Sequence, residues 1–232
     1  MAKKEIDRRD FLKSSLASMG GFIYLSSAEK PLREKLEAAK EKGTKFPHRV
    51  LGKTGIRMPV ITMGVMNTDN PNLVRAALDA GMYHLDTAST YQKGTNEAMI
   101  GEVLKGRPRD SFAISTKARL PGDRKTGAIS PESTEDDFTK KINASLQNLG
   151  LEYIDIYHHH GIQGREGALH EPTLKALEKA KKAGKIRFIG ITTHQNEPEV
   201  IRAAIESKIY DVVLPAYNPR QQHVQEVKKA IA

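Results

Sequence analysis

The chain has 232 residues, with 37 Lys+Arg against 28 Asp+Glu and no cysteine. That length suffices for one sizeable core, and the lack of cysteine excludes a disulfide framework, a thiolate metal site and a cysteine nucleophile. The formal charge of +9 suits anionic ligands such as phosphates. Acids and bases nevertheless alternate on segments such as Leu177 to Lys182 without interleaved aromatics, so nucleic acid is not an expected partner.

Residues 1–28 read as an export leader. Arg8-Arg9 precede Phe11-Leu12-Lys13, a mildly apolar stretch runs from Leu16 to Leu25, and Ser26-Ser27-Ala28 closes it. This is the charged, apolar and small-residue order of a signal peptide, and it resembles the twin-arginine type. The export machinery is then an expected partner, and the expected location is periplasmic or otherwise extracytoplasmic, with a cytoplasmic location as the alternative. The apolar stretch is interrupted by Gly20-Gly21 and is too short to span a bilayer, so no stable membrane span is expected after processing. Residues 29–46 are charge-dense and read as a linker or short exposed helix.

From residue 47 to 232, short apolar runs alternate with amphipathic segments. His48 to Pro59 reads as a hairpin around Gly52-Lys53-Thr54-Gly55. Strands are expected at Val60–Val65, Tyr83–Thr87, Ser111–Lys117, Tyr153–His159, Ile186–Thr192 and Asp211–Pro215. Helices are expected at Asn72–Ala80, Asn96–Leu104, Glu135–Leu149, Leu174–Ala183 and Pro198–Ser207, and a last one begins at Val224. Repeated strand–helix units predict an α/β fold with a parallel sheet, of the TIM (β/α)8-barrel type, whose active site lies at the strand C-termini. Such a barrel takes about 250 residues, whereas residues 47–232 supply about six strands. The chain therefore reads as a barrel truncated after about six strands, a fragment or truncated product with two exposed edges.

Asp86, Lys117 and His160 stand at or near the downstream ends of three predicted strands, and Tyr91 follows in the loop after Asp86. Converging at one barrel face, they form a proton donor with its tuning groups. Hydride addition to a carbonyl leaves an alkoxide that needs a general acid. A phenol has an ordinary pKa of about 10, and a nearby cation favours its ionised form. Lysine supplies that cation, aspartate holds the lysine, and histidine orients the substrate oxygen. A metal-dependent hydrolase is the rival reading, because His158 and His160 alternate on one strand and His84 and Asp86 on the next. It lacks further ligands on later strands apart from His194.

The runs LGKTG, LDTASTY, NEAMIGEVLK, STK, SLQNLGLEYIDIY ending in His160, and GKIRFIGIT recur in order. On these the chain resembles the aldo-keto reductase family from about Arg49 to its C-terminus. The resemblance implies reduction of a small carbonyl substrate by NADPH, without a metal. It assigns Tyr91 as general acid with Asp86, Lys117 and His160, and gives Asp86, Thr192 and Thr193 to the cofactor. Two positions depart from the family pattern. Thr193 stands where an asparagine amide usually holds the nicotinamide, and Leu214 where a glutamine does. By the same resemblance, the absent strands seven and eight would carry the aromatic and basic groups that clamp the cofactor. Isolated residues 29–232 are then expected to bind NADPH weakly or not at all. A non-catalytic reductase-like module that binds a partner is the alternative.

Overall fold

The computed structural model describes residues 46–123 and 127–232. The leader at 1–28 and the linker at 29–46, Phe46 apart, lie outside the described residues. Strand β1 (His48–Val50) pairs antiparallel with β2 (Arg57–Pro59) across a 3-10 turn at Gly52–Thr54, as the glycine-containing run predicts. Leu51, Ile56 and Met58 of this hairpin pack against Ala113, Ile156, Phe188 and Val212. Those four lie early in their strands, so the hairpin covers the N-terminal end of the sheet.

The sheet has six parallel strands in chain order. They are β3 (Met63–Gly64), β4 (His84–Asp86), β5 (Ala113–Ala118), β6 (Ile154–His159), β7 (Ile186–Thr193) and β8 (Val212–Pro215). Helices α1 (Pro71–Asp79), α2 (Asn96–Leu104) and α3 (Glu135–Leu149) connect the first four strands. The short α4 (Arg165–Ala168) with α5 (Glu171–Lys182), then α6 (Glu197–Ser207), connect the rest, and α7 (Val224–Ile231) follows β8. Parallel strands placed in chain order with a helix between each pair are the repeating unit of a (β/α)8 barrel. Among the described residues no helix is long and apolar enough to cross a membrane.

Alternation along the strands gives the sheet two faces. Leu85, Ile114, Tyr157 and Ile189 turn to the helix face and join Val74, Ile100, Val103, Phe138, Ile142 and Leu177 of the helices in the main core. Local chemistry starts the helices. Asn70 caps α1 by accepting from the Asn72 N–H, and Thr134 with Asp137 forms a reciprocal capping box at α3. Helix α2 crosses the end of α3 so closely that a Cβ on Gly101 would stand 2.7 Å from the Asn148 carbonyl oxygen.

At the N-terminal end of the sheet, buried Asp155 accepts from Arg109 at 2.6 Å, from Arg187 at 2.8 Å and from the Ile114 N–H at 3.0 Å. The aspartate of YIDIY thus ties three segments together, far from the strand ends that carry the candidate site.

The expected elements are present, with shifted ends. The expected strand at Val60–Val65 contracts to Met63–Gly64, because Val60 and Ile61 are each half exposed and the Val60 N–H bonds the Pro47 carbonyl of the hairpin at 2.9 Å rather than the parallel sheet. Ser111 belongs to a 3-10 turn, Arg109–Ser111, that precedes β5. Helix α4 has no counterpart among the expected elements, since its four-residue length, its glycine and its lack of apolar spacing hide it. It is fixed by the bidentate ion pair of Arg165 with Glu206.

Candidate active site

Register brings the C-terminal ends of β4, β5 and β6 side by side. Asp86 pairs with Ser115, and Lys117 pairs with His158. Asp86 and Lys117 therefore reach the same end of the sheet and meet there. Lys117 Nζ donates to Asp86 Oδ2 at 2.5 Å and to the Thr87 carbonyl at 2.9 Å. The Lys117 side chain is 4% exposed and that of Asp86 20%. An ammonium buried this deeply is tolerable only when paired and hydrogen-bonded, and both conditions hold.

Tyr91 opens a short turn, Tyr91–Gly94, in which Gln92 and Lys93 take left-handed backbone angles. The Gln92 amide pins that turn by donating to the Met66 carbonyl at 2.8 Å. The turn sets the Tyr91 ring 4.9 Å from Lys117 Nζ, measured to the ring centroid. The His160 imidazole meets the same ring edge-on, 6.3 Å between centroids at 84°. The four residues selected from the sequence are thus brought together within one cluster.

The three consecutive histidines divide as strand alternation requires. His159 faces the helices, edge-on to Phe138 at 5.6 Å and in contact with the Tyr210 hydroxyl. His158 faces the other way, flat against β7, where a Cβ on its partner Gly190 would fall 2.0 Å from its Nδ1. His160 lies just past β6, where its N–H continues the ladder to the Ala118 carbonyl. Burial, with the Lys117 charge adding to it, lowers the His160 pKa to about 4, so the imidazole is neutral at neutral pH. Its Nδ1 is buried without a partner among the described residues, and Nε2 is the ring nitrogen left to meet a ligand. His84 is likewise lowered to about 4, by burial above all, and its Nε2 contacts the Ser115 hydroxyl at 2.6 Å. Among the described residues no three His, Asp or Glu side chains converge as a metal-ligand set.

Residues that the sequence reading missed hold the cluster in place. Asn96 donates to the Val65 and Thr68 carbonyls and accepts from the Thr87 hydroxyl at 2.7 Å, fixing the backbone on which Lys117 rests. Fully buried Glu97 accepts from Thr116 at 2.6 Å and from Asn148 at 3.1 Å. The available signal was the adjacent Asn-Glu pair at the start of an otherwise amphipathic helix.

At the hydride end the arrangement fits a nicotinamide cofactor in part. Asp86 Oδ1 is buried without a partner. The Thr192 hydroxyl accepts from the Gly161 N–H at 2.8 Å and keeps its own proton to donate. Thr193 is fully buried, and its hydroxyl donates to the Gln195 carbonyl at 2.6 Å. Leu214 is 44% exposed and apolar. Thr192 is therefore the better placed of the two threonines to hold a carboxamide.

Known proteins share this fold and part of this sequence. L-galactose dehydrogenase of Arabidopsis thaliana is 34% identical over 162 residues, covering 64% of this chain and 49% of that protein. L-glyceraldehyde 3-phosphate reductase of Escherichia coli K12 is 29% identical over 194 residues, covering 77% and 55%. The crystal structure of an aldo-keto reductase from a Medee basin deep-sea metagenome superposes with a TM-score of 0.61 at 27% identity, over 79% of this chain and 64% of that one. The chain spans about half the length of the curated relatives it matches. The aldo/keto reductase family model matches residues 62–230, most of the chain and all six strands of the sheet, and the protein belongs to that family.

Proposed function

We propose that this site reduces an aldehyde or ketone to an alcohol. NADPH, when bound, would supply the hydride, with Asp86 and the Thr192 hydroxyl on its nicotinamide side. The neutral His160 imidazole hydrogen-bonds the carbonyl oxygen and orients it. As the carbonyl carbon gains hydride, the oxygen gains an electron pair, and the Tyr91 hydroxyl delivers the proton. The Lys117 ammonium offsets the charge left on the phenolate oxygen, and Asp86 keeps that ammonium beside the ring. The observation that carries this reading is the position of Lys117 Nζ, bonded to Asp86 and 4.9 Å from the Tyr91 ring centre.

Tyr91→Phe tests it. The reading expects NADPH-dependent reduction of small aldehydes to fall by about 10²–10⁴-fold with NADPH binding retained. Undiminished turnover would overturn it. The committed Thr193 hydroxyl and the exposed Leu214 favour a second reading, a reductase-like module that binds without turnover. That reading requires an equally inactive wild type. The leader belongs to the same proposal: replacing Arg8 and Arg9 together by lysine should hold the chain in the cytoplasm, and unchanged export would remove the twin-arginine assignment.

A further inference from the structure

Arg119 lies one residue beyond β5 and two beyond Lys117, so strand alternation turns it to the face that carries the ammonium. Its guanidinium lies beside Gly161, the residue after His160, with Nη1 3.9 Å from the position of a Cβ there. The side chain is half-buried, yet no carboxylate or carbonyl accepts from it among the described residues. Other arginines of the fold are engaged: Arg109 and Arg187 hold Asp155 at the opposite end of the sheet, and Arg107 holds Asp79. A guanidinium presents a planar fork of donors suited to carboxylate and phosphate. Withdrawing it from water without a partner is costly. His194, exposed just past β7, adds a second cation-forming group, and Lys117, His194 and Arg119 all act electrostatically on His160. The nearest carboxylate of the cluster, Asp86, is already taken by Lys117.

We infer that Arg119 is a specificity residue that binds an anionic group of the substrate, so that the preferred substrate is a short aldehyde or ketone carrying a carboxylate or phosphate. Two residues along a strand separate Cα atoms by roughly 6.6 Å, which suits an anion two or three carbons from the carbonyl. The inference deepens the proposed carbonyl reduction and rests on it for the carbonyl, while the anion contact rests on Arg119.

Calorimetry of the whole chain in the presence of NADP+, which cannot donate hydride, tests it with two matched pairs. They are succinic semialdehyde against butyraldehyde, and glyceraldehyde 3-phosphate against glyceraldehyde. At least one anionic member should bind about tenfold or more tightly than its neutral partner, and the pair with the larger ratio tells carboxylate from phosphate. Arg119→Gln should collapse the ratio and Arg119→Lys restore part of it. In the unaltered protein, raising sodium chloride should weaken the anionic member and spare the neutral one, a check that does not depend on the variant folding. Equal binding within both pairs, no binding of either, or a preference that survives Arg119→Gln would overturn the inference. A preference that behaves as expected, combined with no oxidation of NADPH by the bound aldehyde, would instead sink the reductase reading and leave the anion site standing.

Discussion

In the proposed reduction Lys117 tunes Tyr91 as proton donor, and Lys117 is buried only because Asp86 and the Thr87 carbonyl receive it. Lys117→Met removes the cation while leaving the Asp86 carboxylate in place. Reduction should fall at least a hundredfold, mainly in kcat, because the lost interaction is made most strongly in the transition state. A change confined to KM would place Lys117 in substrate binding instead. His160 makes a different prediction at the same scale. With its pKa lowered to about 4 by burial and by Lys117, it stays neutral throughout the range in which a free histidine titrates. Its contribution to the acid limb of kcat/KM should therefore lie near pH 4. An inflection near pH 6.5 that disappears in His160→Gln would contradict this.

Single close approaches position whole elements. His158 lies flat on β7 only because Gly190 has no Cβ. Gly190→Ala should cost about 1–3 kcal/mol of stability, as overpacking does, and the added His158→Ala should recover most of it. Strict additivity of the two changes in thermal melts would show that the contact does not matter. Asp155→Ala should cost more, about 3–5 kcal/mol, because it strands Arg109 beside a buried backbone N–H. Most of this element plan was legible in the sequence. Helix α3 was given to the residue by its helical periodicity and α2 by the breaks that flank it, and the apolar runs gave five of the six sheet strands to within a residue or two. Val60–Val65 misled because an apolar run looks the same whether its residues are buried or exposed, and Val60 and Ile61 follow the hairpin at the surface. The cluster of Asp86, Tyr91, Lys117 and His160 was legible because each stands at a strand end or just past one. Asn96, Glu97 and Arg119 were not, since the first two depend on partners 9 to 51 positions away and Arg119 on having no acceptor among the described residues.

Taken as a whole, the sheet buries an unusual number of uncharged imidazoles. Burial lowers His84 to about 4 and His159 to about 3, and it holds His158 well below the ordinary histidine value. Each group keeps its ordinary affinity for protons in the unfolded chain, near 6.5. The unfolded state therefore binds more protons between about pH 6.5 and 4, so stability is full above that window and falls as the pH drops through it. The loss is about 1.4 kcal/mol per pH unit for each histidine, and melting temperature should drop steeply from pH 6.5 to 5 while hardly changing from 7 to 8. Flat stability down to pH 5 would show that these imidazoles are not held neutral. The same compact face that excludes protons from His158 gathers Asp86, Tyr91, Lys117 and His160 at one sheet end. The most direct measurement of what that gathering does is transfer of deuterium from NADPH carrying deuterium at both nicotinamide C4 positions into the product of a small aldehyde, read by mass spectrometry. One deuterium is expected on the former carbonyl carbon with wild-type protein, and less of the labelled alcohol, in proportion to rate, with Tyr91→Phe. Alcohol formed without label, or no alcohol from a protein that binds both NADPH and aldehyde, would contradict it.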